Sequence, residues 1–262
     1  MDQTGSVQDQ VDRELRETAV REGLGARRAS YPSAAPAHSG RARAAGGLAV
    51  LTSIAMVAAV SSSYPALALA LAPVLLICLA SLLGHAFGSG RNTASRLELY
   101  EKGLLVLQRG RIRAVRYADT TVLDNVVRRT QYGRTLSVTY SFGLTDTAGR
   151  DLTVGSLFAG GELWGPRLRQ DVTAAQLPGA LDRPRAGERL DFGPFWLTAR
   201  EVGSGRTSAP WPQIEAVDAT DGSIKVLATG RRGPLAVGYL RLTPDAFLFL
   251  ALAQRLRTAA GS

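Results

Sequence analysis

Leu136-Ser137-Val138-Thr139-Tyr140-Ser141-Phe142-Gly143-Leu144 places an apolar or aromatic side chain at every second position, with Ser, Thr or Gly between. A period of two marks a strand with one buried and one solvated face, because successive side chains point to opposite sides. Working outward, further strands are predicted at 97–100, 104–108, 112–117, 120–128 and 152–155. They are separated by the turn pairs Lys102-Gly103, Arg109-Gly110 and Ala148-Gly149. A helix follows at 161–177, with Leu163, Trp164, Leu168, Val172 and Ala175 on one side and Pro178-Gly179 as its stop. The pattern then returns. Strands are predicted at 189–192, 195–200, 214–219, 223–228 and 235–240, and a last helix at 243–258. Thr243-Pro244-Asp245 reads as the opening of that helix: cap, first-turn proline and acid.

The two stretches echo each other at an offset of about ninety residues. Arg116-Tyr117-Ala118-Asp119 in the first and Pro210-Trp211-Pro212-Gln213-Ile214 in the second each lead into a strand with an aromatic. A small curved antiparallel sheet closed by a C-terminal helix is the pleckstrin-homology-like (PH-like) plan. Two such modules, 91–180 and 187–260, are therefore expected.

The segment before them has a different character. From Gly46 to Phe87 no charged residue occurs across 42 positions, with Arg41 and Arg43 on one flank and Arg91 and Arg96 on the other. A single helix of that length would measure about 63 Å, roughly twice the hydrocarbon thickness of a bilayer, so a break is needed. Ser61-Ser62-Ser63-Tyr64-Pro65 supplies one. A two-span transmembrane hairpin over 46–87 is therefore predicted. Basic residues on both outer flanks place both termini in the cytoplasm of a multi-pass protein of the inner (plasma) membrane. Residues 1–45 are expected to hold a short amphipathic helix over 8–22, with Val11, Leu15, Thr18 and Ala19 on its apolar side. Gly23, Gly25 and Ser30-Tyr31-Pro32-Ser33-Ala34-Ala35-Pro36 then read as a flexible tether.

Composition removes several chemistries. The single cysteine is Cys78 and the histidines are His38 and His85, so nothing after residue 88 supplies a thiol nucleophile, a histidine base or a Cys/His zinc site. Neither a catalytic set nor a cofactor or metal is expected. Asp119, Asp124, Asp146 and Asp151 fall in turns without the spacing of a metal loop, and Trp164, Trp196 and Trp211 read as core or cap residues. The chain carries 31 Lys and Arg against 22 Asp and Glu, a net charge of +9. Its sharpest basic cluster is Arg109, Arg111, Arg113 and Arg116, with Arg128 and Arg129 after it. This cluster is the candidate surface for anionic lipid headgroups or a protein partner. Few aromatics accompany it and no nucleic-acid motif is present, so nucleic acid is not expected.

Leu99-Tyr100-Glu101-Lys102-Gly103-Leu104 with Arg116-Tyr117, Leu163-Trp164-Gly165-Pro166, Gln176-Leu177-Pro178 and the final helix from Phe247 to Leu256 resemble a family of bacterial membrane-anchored proteins of unknown function with PH-like domains. The resemblance spans about residues 91–260 and implies fold and membrane association, without a catalytic motif. The expected fold class is therefore α+β: an N-terminal transmembrane hairpin, then β-rich tandem PH-like modules, each closed by a helix. The expected function is a non-enzymatic cytoplasmic interaction region of an integral membrane protein, binding a protein partner or anionic lipid. The alternative is a structural or accessory subunit of a membrane enzyme or transporter.

Overall fold

Four consecutive apolar residues, Leu104-Leu105-Val106-Leu107, sit on one strand, and alternation then sends two to each face of its sheet. Both faces must therefore be covered, and the computed structural model, which describes residues 3–34, 77, 95–131 and 134–261, shows by what. β1 (Arg27–Pro32), β2 (Arg96–Tyr100), β3 (Gly103–Gln108) and β4 (Arg111–Arg116) form an antiparallel sheet in that order. One face carries Leu97, Leu99, Leu104, Val106 and Val115 into a core with Phe142, Leu144, Trp164, Leu168 and Val172. The other face carries Tyr100, Leu105, Leu107 and Ala114, covered by Leu15, Ala19 and Leu24 from helix α1 (Gln3–Arg21) and the turn after it.

The stretch read as a tether is thus a strand of the first sheet. Gly23 and Gly25, at φ of 66° and 80°, turn the chain out of α1, and β1 pairs with β2 from Arg27↔Tyr100 to Pro32↔Arg96. Glu98 on β2 is buried under this layer and satisfied by Arg27, Arg96 and the Tyr100 hydroxyl at 2.7 Å.

β5 (Val122–Asp124), β8 (Phe142–Thr145) and β9 (Asp151–Val154) make a second, three-stranded sheet, and β6 (Val127–Gln131) and β7 (Arg134–Thr139) make a hairpin. The alternating stretch that opened the sequence reading is therefore two strands, broken at Tyr140-Ser141, where the Tyr140 ring turns to pack beside Phe142 and Trp164. Helix α2 (Gly161–Arg185) closes this half. It runs through Pro178, past its expected stop. Its N-terminal part buries Trp164, Leu168 and Val172 in the first core, and its C-terminal part packs Leu177, Ala180 and Leu181 on the second. Packing on both cores outweighs the one backbone bond that an internal proline removes.

The same order then recurs. β10 (Leu190–Phe192), β11 (Phe195–Leu197), β12 (Glu201–Ser204) and β13 (Thr207–Pro210) form a four-stranded sheet. β14 (Ile214–Thr220), β15 (Ser223–Ala228) and β16 (Ala236–Tyr239) form a three-stranded one, and α3 (Ala246–Ala260) closes the half. Phe192, Phe195, Val202, Ile224, Val226, Phe249 and Leu252 form its core, with the Phe195 and Phe249 rings stacked 5.0 Å apart.

The membrane expectation is corrected. Among the described residues no helix is long and apolar enough to cross a bilayer. α1 carries charge along its length, α2 holds Arg167, Arg169, Asp171 and Asp182, and α3 has 15 residues where a span needs about 20. The N-terminal transmembrane hairpin, the integral membrane function and the multi-pass inner-membrane location are accordingly set aside. Residues 46–87, Ile77 excepted, lie outside the described residues.

Candidate functional site

The two halves meet where the start of α3 crosses the edge of β5. Asp245 is the hinge of this contact. Its backbone N–H donates to the Val122 carbonyl at 2.8 Å, and its carboxylate accepts the Val122 N–H at 2.7 Å. Thr243-Pro244-Asp245 therefore does not cap α3 as expected: Asp245 sits in the left-handed region at φ 50° and makes no side-chain bond to its own helix, while the Thr243 hydroxyl donates to the Tyr239 carbonyl. Two residues on, the Phe247 ring lies 4.5 Å from the guanidinium carbon of Arg169 on α2. Arg169 in turn forms a two-pronged ion pair with buried Asp124 on β5, one prong at 2.8 Å.

Beside this clamp opens a groove of about 510 Å³, lined by Asp119 and Thr120 from the β4–β5 connection, Gln176 and Arg183 from α2, Asp191 from β10, and Asp245. Gln176 fixes one wall by donating to the carbonyls of Tyr117 at 2.9 Å and Thr120 at 2.6 Å. Arg183 is engaged by Glu188 and Asp191 by Arg189, both at 2.8 Å. Asp119 and Asp245 have no cationic partner among the described residues. Burial pushes the Asp245 carboxyl up to about 6, against the lowering pull of the Val122 N–H. Chemically, the groove offers acceptors to a positively charged group. No cluster of side chains suited to a metal ion occurs among the described residues.

A model of one protein family matches residues 9–251, which takes in most of α1, the strands and α2, the start of α3 and every residue of the groove. The chain belongs to DUF6585, a family of unknown function. No curated protein and no solved structure matches the chain.

In this DUF6585 protein the arginine cluster picked out from sequence is divided. Arg113 is spent inside the fold, donating to Asp146 at 2.8 Å and to the carbonyls of Arg150 and Asp151. Arg116 lies on the α1 side of the sheet and ties down Glu22, donating to its carbonyl at 3.0 Å. Arg109, in the β3–β4 turn at φ 54°, and Arg111 are exposed and unpaired among the described residues. Arg128 and Arg129 lie on β6, and their side chains are outside the described residues. The groove itself escaped the sequence reading. Asp119 reads as a turn residue and Asp245 as a first-turn acid, and Asp191 and Arg183 carry no motif. The available signal was the run of acids near helix and strand starts in a strongly basic chain.

Proposed function

We propose that this protein is a non-enzymatic binding module whose junction groove takes a lysine- or arginine-bearing segment of a protein partner. The observation that carries this reading is Asp245: a partly buried carboxylate without a counter-ion, facing a groove that it shares with Asp119 and Asp191. A cation entering there would recover the electrostatic cost of burial. The groove is open on one side, which suits an extended side chain from a partner better than an enclosed small molecule. The absence of Cys and His beyond residue 88 supports a binding role over catalysis.

A second reading places anionic headgroups at Arg109 and Arg111, favoured by their exposure at a hairpin tip. Titration of the full chain with a labelled lysine-rich peptide and with an acidic peptide of equal length tests the first reading. Binding of the basic peptide alone is expected, weakened about tenfold in Asp119→Asn/Asp245→Asn. Equal affinity of the double variant, or equal binding of the acidic peptide, overturns it. Loss of binding to anionic vesicles in Arg109→Ala/Arg111→Ala, with the peptide result negative, selects the second.

A further inference from the structure

The chain contains one docking event within itself, and the corresponding seat in the second half is open. In the first half the seat is β5, the edge of its three-stranded sheet, flanked by α2. Asn125 on the strand's far end donates to the Ser141 carbonyl, so the odd residues of β5 face β8, and Val122 faces outward. Both outward groups of Val122 are taken by Asp245, and Phe247 covers Arg169 behind the strand.

In the second half the same place is held by β14, the edge of β14–β15–β16, flanked by α3. Leu240 donates to the Gly222 carbonyl, so the even residues of β15 serve β16 and its odd residues serve β14. With the register Asp218↔Lys225 and Thr220↔Ser223, that leaves the N–H and C=O of Val217 and Ala219 facing out. No group among the described residues meets them. Only the Glu215 carbonyl at the near end is occupied, by the Arg257 guanidinium of α3. Natural edges of this length are normally blunted, because a row of free backbone groups is a template for another strand.

We infer that the outer edge of β14, beside α3, accepts an extended segment of a partner protein in which apolar and basic residues alternate. Pairing to Val217 and Ala219 supplies the main-chain bonds, as Asp245 does on β5. The partly buried Val217 and Leu250, both packed on the second core, offer an apolar floor for every second side chain. The exposed Glu215, Asp218 and Asp221 have no ion-pair partners among the described residues and put three carboxylates along this strand, against Lys225 across from Asp218 and Arg257 at the Glu215 carbonyl. This surface is separate from the junction groove.

Amide hydrogen exchange and binding of the full chain, probed with short synthetic peptides alternating Val with Lys and with matched peptides alternating Val with Glu, test the inference. The Val/Lys peptide is expected to slow exchange at Val217 and Ala219. Ala219→Pro, which removes an outward N–H that no ladder bond uses, is expected to weaken it about tenfold with the unfolding midpoint held. Asp218→Lys should act in the same direction, and Asp119→Asn/Asp245→Asn should leave the slowed exchange at Val217 and Ala219 unchanged. No binding of the Val/Lys peptide, equal binding of the Val/Glu peptide, or affinity indifferent to both Ala219→Pro and Asp218→Lys overturns it.

Discussion

Replacing Asp245 by Asn keeps the shape and the acceptor oxygen toward the Val122 N–H while deleting the charge, and Asn tolerates the left-handed backbone found there. The carboxyl is raised from 3.8 to about 6. A raised acid binds its proton more tightly in the folded than in the unfolded chain. Its contribution to stability is therefore best at low pH and declines as pH rises from about 4 to about 6, after which the full cost persists. Two units at 1.36 kcal/mol each set a ceiling of about 3 kcal/mol, and screening at this partly exposed site brings it to about 1–2 kcal/mol. Asp245→Asn is therefore expected to be more stable than wild type by about 1–2 kcal/mol at pH 7.5 and equal to it near pH 4. Urea denaturation followed by tryptophan fluorescence across that range measures the difference. Comparison with the variant cancels other titrations, such as that of Asp146. Burial opposes ionisation of Asp146, but hydrogen bonds from the Arg150 backbone and from Arg113 and Arg150 outweigh it, so its pKa is lowered and its contribution runs the opposite way. A difference that does not change with pH, or a variant weaker than wild type at pH 7.5, would refute the reasoning.

Other substitutions separate groups with structural work from those without it. Arg113→Ala leaves the buried Asp146 without one of its arginines and should cost about 1–3 kcal/mol, whereas Arg109→Ala and Arg111→Ala should each stay within about 0.5 kcal/mol, by the same denaturation assay. Arg169→Ala strips buried Asp124 of its partner and Phe247 of its cation, and a loss of about 3 kcal/mol with a weakened junction is expected. Gly238→Ala would put a methyl 2.6 Å from the Phe195 ring and should lower thermal stability through about 1–3 kcal/mol of overpacking. The same change at Gly233, where no atom lies within 4 Å, should be near neutral.

Local patterns in the sequence carry much of the strand content, because side-chain alternation and turn pairs act over a few residues. The apolar run Leu104–Leu107 even signals a sheet covered on both faces, although not that α1 is the cover. What could not be seen is set by distance along the chain. Asp245 has its partner 123 positions away, so an acid beside a helix start looks like a first-turn acid and turns out to be a clamp. Asp119 and Asp191 lie on different halves and meet only through the groove. The basic cluster misleads for a related reason: alternation along a strand puts Arg113 and Arg116 on opposite faces, but it does not show that they are spent on Asp146 and Glu22. The membrane reading rested on an uncharged stretch, its arginine flanks, its Ser/Pro break and a family resemblance, and the described helices give it no support.

The most direct test of the groove is the affinity of one lysine-rich peptide for the full chain, measured between pH 5 and pH 7.5 on wild type and Asp245→Asn. Because the carboxyl titrates near 6, wild-type affinity should rise across that range while that of the variant stays flat and lower. Parallel pH profiles for the two proteins would contradict the assignment of the groove as a site for a basic segment.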